Sequence, residues 1–339
     1  MYIRLGYIPN RKEVAMLNLI KIEIRKMLRS KVIFVSFLVC IIAFAGFGFF
    51  LKQDSFSGEE SATKEEQLLQ EEYSKSTDWK EQLRIQMQLN KYLSDIYGED
   101  EIAVKNQILQ YRIEHNIRPF EENTAWDFIV YSFDIIGFLI SVFGIIFSVE
   151  IVTKEYSNKT VKLLFTKPYS RQKIIMAKYI TSVIYGVGLA VFCFLAALIV
   201  GGVLFTFEGA SAVTVMKFFN AMLKCSLFTE SIVYLLSVMF RTIILISIAF
   251  LLSLIVKNQT VPLIISLGIL CFGNLLADKI YSLGLESMRF SILSNLSLTG
   301  FINCPVTEDA SFLLFLVTVM IHIIILIFGI LEIVKRTDF

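Results

Sequence analysis

Residues 150–178 have the sequence EIVTKEYSNKTVKLLFTKPYSRQKIIMAK and separate two apolar runs, each long enough to cross a bilayer. This segment holds seven cations against two anions, Glu150 and Glu155. A Leu-Leu-Phe run at 163–165 lies among the charges, and Pro168 ends any helix that reaches it. A segment this basic is not readily translocated across a membrane, and an apolar centre is unusual in a solvated tether. The segment therefore predicts a short amphipathic helix that docks on a cytoplasmic partner.

The composition is typical of a polytopic membrane protein. Hydrophobic residues make up 55% of the 339 residues, charged residues make up 18%, and the mean hydropathy is +0.66. Soluble domains rarely reach these values. The five cysteines show no ligand spacing, and the two histidines offer little material for a metal site. Cys225 and Cys304 fall in predicted outer loops, where a disulfide between them is not favoured.

The N-terminal 31 residues predict a basic amphipathic helix ahead of the first span. They carry eight cations and two anions, and their apolar residues recur at helical spacing. Such a helix is typical of an elbow that lies on the cytoplasmic leaflet. A cleavable signal peptide is excluded, because the charged region is too long and no small-residue cleavage site follows Phe50. Residues 1–15 are expected to be dispensable, which leaves Met1 and Met16 as alternative starts.

Six apolar runs predict six transmembrane helices, and the charges between them predict their orientation. The N-terminal flank balances +6 (eight cations minus two anions), whereas the segment 52–127 balances −8 (nine cations minus 17 anions). The positive-inside bias therefore places both termini in the cytoplasm. The predicted spans are residues 32–51, 128–149, 179–207, 231–256, 260–277 and 310–331. The predicted connections are the cytoplasmic N-terminus 1–31, an extracytoplasmic acidic helical domain 52–127, the cytoplasmic coupling loop 150–178, an outer interfacial segment 208–230, an outer loop 278–309 and the cytoplasmic C-terminus 332–339.

The predicted fold is thus an all-α polytopic membrane protein with an amphipathic elbow helix, a cytoplasmic coupling helix and a helical outer domain. Helical patterns in the outer domain cover Ser61–Ser74, Asp78–Tyr97 and Glu101–Asn116. The second pattern opens with a capping box, in which Glu81 follows Asp78 by three residues. A solvated acidic face is the simpler interpretation of this domain. A gate or a receptor surface for a transported molecule is the alternative.

The basic loop carries a specific resemblance to a known family. It contains, in order, Glu155, Thr160, Leu163, Leu164, Pro168, Ser170, Arg171 and Lys178. This order resembles the first cytoplasmic loop of ABC-2 type transporter permeases, with a departure at Lys159, where a small residue usually precedes the threonine. The resemblance implies that these eight residues dock a separate cytoplasmic ABC ATPase, which binds the ATP. It also implies a second membrane subunit, either another copy of this chain or a related one.

The sequence contains no motif for nucleotide binding or hydrolysis of its own. A G-x-x-x-x-G-K-[ST] run, a Ser/His/Asp set and an HExxH helix are all missing. We therefore expect a non-catalytic subunit with no cofactor and no metal, whose partners are the ATPase, the second membrane subunit and the lipid bilayer, and not nucleic acid. Its expected location is a bacterial plasma membrane.

Three titratable residues fall inside predicted spans, at comparable depth in the outer half of the membrane. They are Asp134, Arg241 and His322. Such residues are costly in a bilayer and need a partner or a water-filled path. An Asp134–Arg241 pair that fixes helix packing and a set of residues that line the substrate route are both open interpretations.

The sequence favours the membrane subunit of an ATP-driven exporter. The resemblance to this family suggests an amphiphilic substrate, such as an antimicrobial peptide, an antibiotic or a lipid-like molecule. The alternative is a membrane receptor in which residues 52–127 bind a ligand and the basic loop signals to a cytoplasmic partner. An ion-coupled secondary transporter is disfavoured, because no internal repeat is found.

Overall fold

The computed structural model describes residues 11–54, 64–94, 98–120, 124–157, 169–296, 298–304 and 311–336. Its helices, numbered along the chain, are α1 (Arg11–Met27), α2 (Lys31–Asp54), α3 (Lys64–Lys75), α4 (Trp79–Leu89), α5 (Glu99–Glu114), α6 (Ala125–Ser157), α7 (Arg171–Leu204), α8 (Leu227–Val256), α9 (Thr260–Ser282) and α10 (Phe312–Arg336). Six of them, α2 and α6 to α10, are long and apolar enough to cross a membrane. The prediction of an all-α polytopic membrane protein with six spans is confirmed.

The second and third spans extend further toward the basic loop than their hydropathy indicates. Helix α6 continues to Ser157 and helix α7 already begins at Arg171. The extensions keep one apolar face: Val152 and Ile175 are buried in a single cluster with Phe250 of α8. Because helical periodicity alternates buried and exposed positions, the charged residues of these turns can face outward while the helix continues.

Helices α6, α7 and α8 form the centre of the bundle, and two glycines let them approach closely. A Cβ atom on Gly144 of α6 would lie 2.9 Å from Cγ2 of Thr242, and one on Gly186 of α7 would lie 2.6 Å from Cδ1 of Ile246. Both positions therefore depend on the missing side chain, as is usual where membrane helices touch. Ser148 Oγ also donates a hydrogen bond to the carbonyl oxygen of Ile246 at 3.0 Å.

The predicted outer domain contains α3, α4 and α5, and the α-helical geometry of its second predicted helix changes after Leu89. Helix α4 ends at Leu89 and continues as a 3₁₀ turn over Asn90–Leu93. Asn90 Nδ2 donates to Asn106 Oδ1 at 2.8 Å and so joins α4 to α5. The predicted N-cap is present, because the Asp78 carboxylate accepts from the backbone N–H of Lys80 at 3.1 Å.

Within the predicted outer interfacial segment, the chain forms a β-hairpin. Strands β1 (Val213–Phe218) and β2 (Ala221–Ser226) pair antiparallel around a turn at Phe219 and Asn220. Phe219 has a φ of 54°, which is unusual for a bulky residue. This conformation is held by its N–H, which donates to the Phe301 carbonyl at 2.8 Å, and by its ring, which stacks on that of Phe301. The hairpin therefore docks on the chain that precedes α10.

Candidate functional site

The eight predicted docking residues fall into two groups. Thr160, Leu163, Leu164 and Pro168 lie outside the described residues, so their predicted role stays a prediction. The other four lie on either side of residues 158–168, which the structure does not describe. Glu155 lies near the end of α6, Ser170 is the N-cap of α7, and Arg171 and Lys178 belong to α7. Arg171 is exposed, whereas Lys178 is buried.

Lys178 is the centre of a buried charged cluster. Its side chain is 2% exposed. Its ammonium donates to Glu155 Oε1 at 2.8 Å, to the carbonyl oxygen of Ile151 at 3.2 Å and to Glu23 Oε2 at 3.4 Å. An ammonium has three N–H donors, so these three acceptors satisfy it fully. The Lys178 cluster, consisting of Lys178, Glu155, Glu23 and Lys26, thereby joins α7, α6 and α1.

Two members of this cluster, Glu23 and Lys26, were not among the predicted site residues, and Glu23 is the more buried of them. Its side chain is 8% exposed and also accepts a hydrogen bond from Lys26 Nζ at 2.7 Å. Burial raises the pKa of this carboxyl, but Lys178 and Lys26 together outweigh burial and hold the pKa below its ordinary value. A signal was present: Glu23 follows the buried Leu19 by four residues and so shares the apolar face of an otherwise basic helix.

Apolar residues close this cluster off on the side of α1. Leu19 packs with Ile174 and Ala177 of α7 in a small cluster of buried residues. Ala177 and Ile174 lie beside Lys178 along α7. The Lys178 side chain is itself buried, and charge interactions are stronger where water is excluded. The three helices are consequently joined by both apolar contact and charge.

Arg241 lies at a close approach between α6 and α8. Its Nε donates to Ser141 Oγ at 3.3 Å, and Ser141 in turn lies 3.2 Å from Thr242 Oγ1. A Cβ atom on Gly137 would lie 2.8 Å from the Arg241 Nη2, so the glycine makes room for the guanidinium. This arrangement places the guanidinium between packed helices.

His322 and Asp134 do not extend this site in the described structure. The His322 Nδ1 lies 2.7 Å from the carbonyl oxygen of Thr318, one turn earlier on its own helix, so this nitrogen carries the proton. The side chain of Asp134 lies outside the described part of the molecule. An Asp134–Arg241 pair therefore stays a prediction.

A second polar junction lies where α5 meets the hairpin and the start of α8. Arg112 of α5 donates through Nη2 to Thr214 Oγ1 of β1 at 2.9 Å. Burial lowers the pKa of the Arg112 guanidinium, and the nearby carboxylates of Glu230 and Asp127 oppose this shift. Glu230, in the first turn of α8, is buried and accepts from Asn303 Nδ2 at 3.4 Å. The sequence analysis missed this junction, because its residues come from five separate segments.

The described residues contain no group of three or more His, Cys, Asp or Glu side chains that could hold a metal ion. No disulfide joins Cys225 to Cys304, in the part of the chain that the structure describes.

The fold and the Lys178 cluster define a polytopic membrane protein whose second and third spans are joined beside a basic segment. A family model described as ABC-2 family transporter protein matches residues 17–292, and the chain belongs to this family. It is therefore a membrane transport protein. The chain is also similar to the uncharacterized protein YhcI of Bacillus subtilis (strain 168), with 26% identity over 263 residues, which is 75% of this chain and 83% of that protein.

Proposed function

We propose that this chain is the permease subunit of an ATP-driven exporter and that a separate cytoplasmic ATPase docks on its segment 154–171. The observation that carries the proposal is the Lys178 cluster. Glu155 precedes the central part of the segment and Lys178 follows it, and their side chains meet at 2.8 Å. The helices on either side of the segment are thus joined to each other at the base of two spans.

This geometry supports transmission of force from the segment into the membrane. A pull that separated α6 from α7 would break the Lys178–Glu155 ion pair in poorly solvated surroundings, which is strongly unfavourable. The two helices are therefore expected to move as a pair. Tyr179 of α7 continues the connection, because its hydroxyl lies 2.9 Å from Ser247 Oγ of α8.

The distribution of buried surface supports a second membrane subunit. In α8, 61% of the most apolar stretch is buried inside the chain, whereas only 22% is buried in α9 and 22% in α10. The uncovered faces must contact lipid or another protein. We propose that a second copy of this chain or a related one covers part of them, and that an amphiphilic molecule passes along the path between the two subunits.

The orientation belongs to the same proposal: both termini and the docking segment lie in the cytoplasm of a bacterium. A cysteine introduced at Ser76 or Gly284 is then expected to react with an impermeant maleimide added from outside, and one at Asn158 is not. External labelling at Asn158 would invert the orientation and remove the docking argument.

Retention of an ATPase during purification tests the proposal directly. Replacement of both Leu163 and Leu164 by Asp is expected to leave the protein in the membrane at normal abundance and to abolish ATPase retention and transport, because charges would enter an apolar contact. The matched control replaces Lys159 and Lys162 by Asp and should weaken retention only modestly, more at low salt than at high salt. An active ATPase that stays bound to the Leu-to-Asp protein would contradict the docking role.

A membrane receptor is the competing function, and it predicts a different result in the retention experiment. A wild-type chain that retains no ATPase but binds a ligand through α3 to α5 would favour it.

A further inference from the structure

A cavity of about 360 Å³ opens between the end of α1, the turn that follows it and the end of α6, with Lys178 of α7 also in its wall. One part of its wall is apolar and consists of Met27, Phe147 and Ile151. Its volume falls in the range of small-molecule sites, ~300–1,000 Å³. The cavity lies beside the start of the first span at Lys31, so a bilayer that α2 crosses would have its lipid head groups at this level.

The other part of the wall carries charges of both signs, with an excess of cations. Four cations and three carboxylates line the cavity, which gives a net charge of +1. Lys26 and Lys154 each form an ion pair, yet their side chains stay 52% and 60% exposed. Arg29 is exposed as well, and it forms no ion pair with any residue that the structure describes. Its guanidinium and the remaining N–H groups of the two lysines are therefore available to a ligand.

We propose that this cavity binds the phosphate group of an anionic glycerophospholipid from the adjoining leaflet. A guanidinium matches two phosphate oxygens at once, and exposed ammonium groups add point charges beside it. Met27, Phe147 and Ile151 offer an apolar surface to the glycerol and the first methylene groups of the acyl chains. A lipid bound here would bridge the turn between α1 and α2 to the end of α6, next to the Lys178 cluster.

Binding of phosphatidylglycerol to the purified full-length chain in detergent, followed by native mass spectrometry, tests this assignment. Arg29→Gln is expected to weaken binding by about tenfold or more, because it removes a charge-assisted hydrogen-bond donor. Arg25→Gln is the matched control: it removes the same charge from an exposed residue of α1 that does not line the cavity, and less than a twofold change is expected. Met27→Trp fills the cavity without a change of charge and should also abolish binding.

Further arms of the experiment identify the source of the phosphate. Phosphatidylethanolamine, which shares the phosphate but is neutral overall, should bind less tightly than phosphatidylglycerol. Soluble glycerol phosphate should not displace the lipid at equal concentration. Equal losses for Arg29→Gln and Arg25→Gln, or full binding to Met27→Trp, would overturn the site. Displacement by glycerol phosphate, or equal affinity for both lipids, would overturn the assignment to an anionic lipid.

Discussion

Substitution of Lys178 by Met is the most informative change that the structure suggests. It removes one buried cation and leaves two carboxylates, Glu23 and Glu155, whose side chains are 8% and 19% exposed. Removal of one partner from a buried ion pair costs about 3–5 kcal/mol. Glu23 keeps Lys26 at 2.7 Å and Glu155 has some access to water, so the lower limit, ~3 kcal/mol, applies here. That is a large share of a typical stability of ~5–15 kcal/mol.

The assay is equilibrium unfolding in mixed micelles with increasing SDS, with helicity as the signal. Lys154→Met is the matched control, because Lys154 pairs with Glu150 on the same helix end but is 60% exposed. We expect the control to cost at most ~1 kcal/mol. Adding Glu23→Gln and Glu155→Gln to Lys178→Met should recover part of the loss, since no buried charge is then left without a partner.

The pH dependence supplies an independent check. The pKa of Glu23 is lowered in the folded protein, so the stability that this carboxylate contributes is present above its ordinary pKa of 4.5 and is lost as the pH falls through the lowered value. Lys178→Met removes a cause of that shift, and its stability should therefore fall less steeply between pH 5 and pH 3, roughly the range in which such a carboxylate titrates. A Lys178→Met protein as stable as the Lys154→Met control, or strictly additive effects of the three changes, would refute the cluster as a structural unit.

Three further results are expected at other sites. Arg112→Met should accelerate limited proteolysis of the outer domain, because the hydrogen bond from α5 to the hairpin is lost, whereas Arg84→Met on the exposed face of α4 should not. Gly144→Ala should lower the free energy of unfolding by about 1–3 kcal/mol, since its Cβ would lie 2.9 Å from a methyl carbon of α8, and Gly46→Ala, with nothing within 4 Å, should be neutral. Burial raises the pKa of the Cys225 thiol to about 11, so its alkylation by iodoacetamide should be slow at pH 8 and should rise about tenfold per pH unit toward that pKa; a rate that is flat above pH 9 would contradict the buried environment.

The six spans could be predicted from the sequence because long apolar runs have few other structural solutions. Their ends could not be placed as well. Hydropathy averages over all faces of a helix, so it drops at Lys154 and Lys173 although Val152 and Ile175 keep one face buried. The helices therefore continue to Ser157 and from Arg171, where composition alone indicates a loop.

Contacts between residues far apart in the chain were harder to predict from the sequence. Glu23 and Lys178 are 155 residues apart, and no local pattern joins them. The hairpin was missed for a different reason: its strands have only six residues each and lie in an apolar segment without clear alternation. It is supported instead by the contact between Phe219 and Phe301, and Phe301 lies about 80 residues further along the chain.

The inward position of Glu155 and Lys178 changes how variants of the docking segment should be interpreted. These two residues bind each other inside the protein. Their loss is therefore expected to weaken the joined ends of α6 and α7, the frame that holds the segment. Leu163 and Leu164 are proposed to contact the ATPase, so their loss should remove the contact and leave the frame intact.

The two kinds of failure can be separated in one experiment that measures unfolding and ATPase retention on the same samples. Lys178→Met should lower both the stability and the retention of the ATPase. Adding Glu23→Gln and Glu155→Gln should restore part of the stability, and ATPase retention should recover with it. The Leu163→Asp and Leu164→Asp protein should unfold like the wild type and still retain no ATPase. If Lys178→Met instead loses the ATPase at full stability, then Lys178 acts at the contact itself, and the frame interpretation of the cluster is wrong.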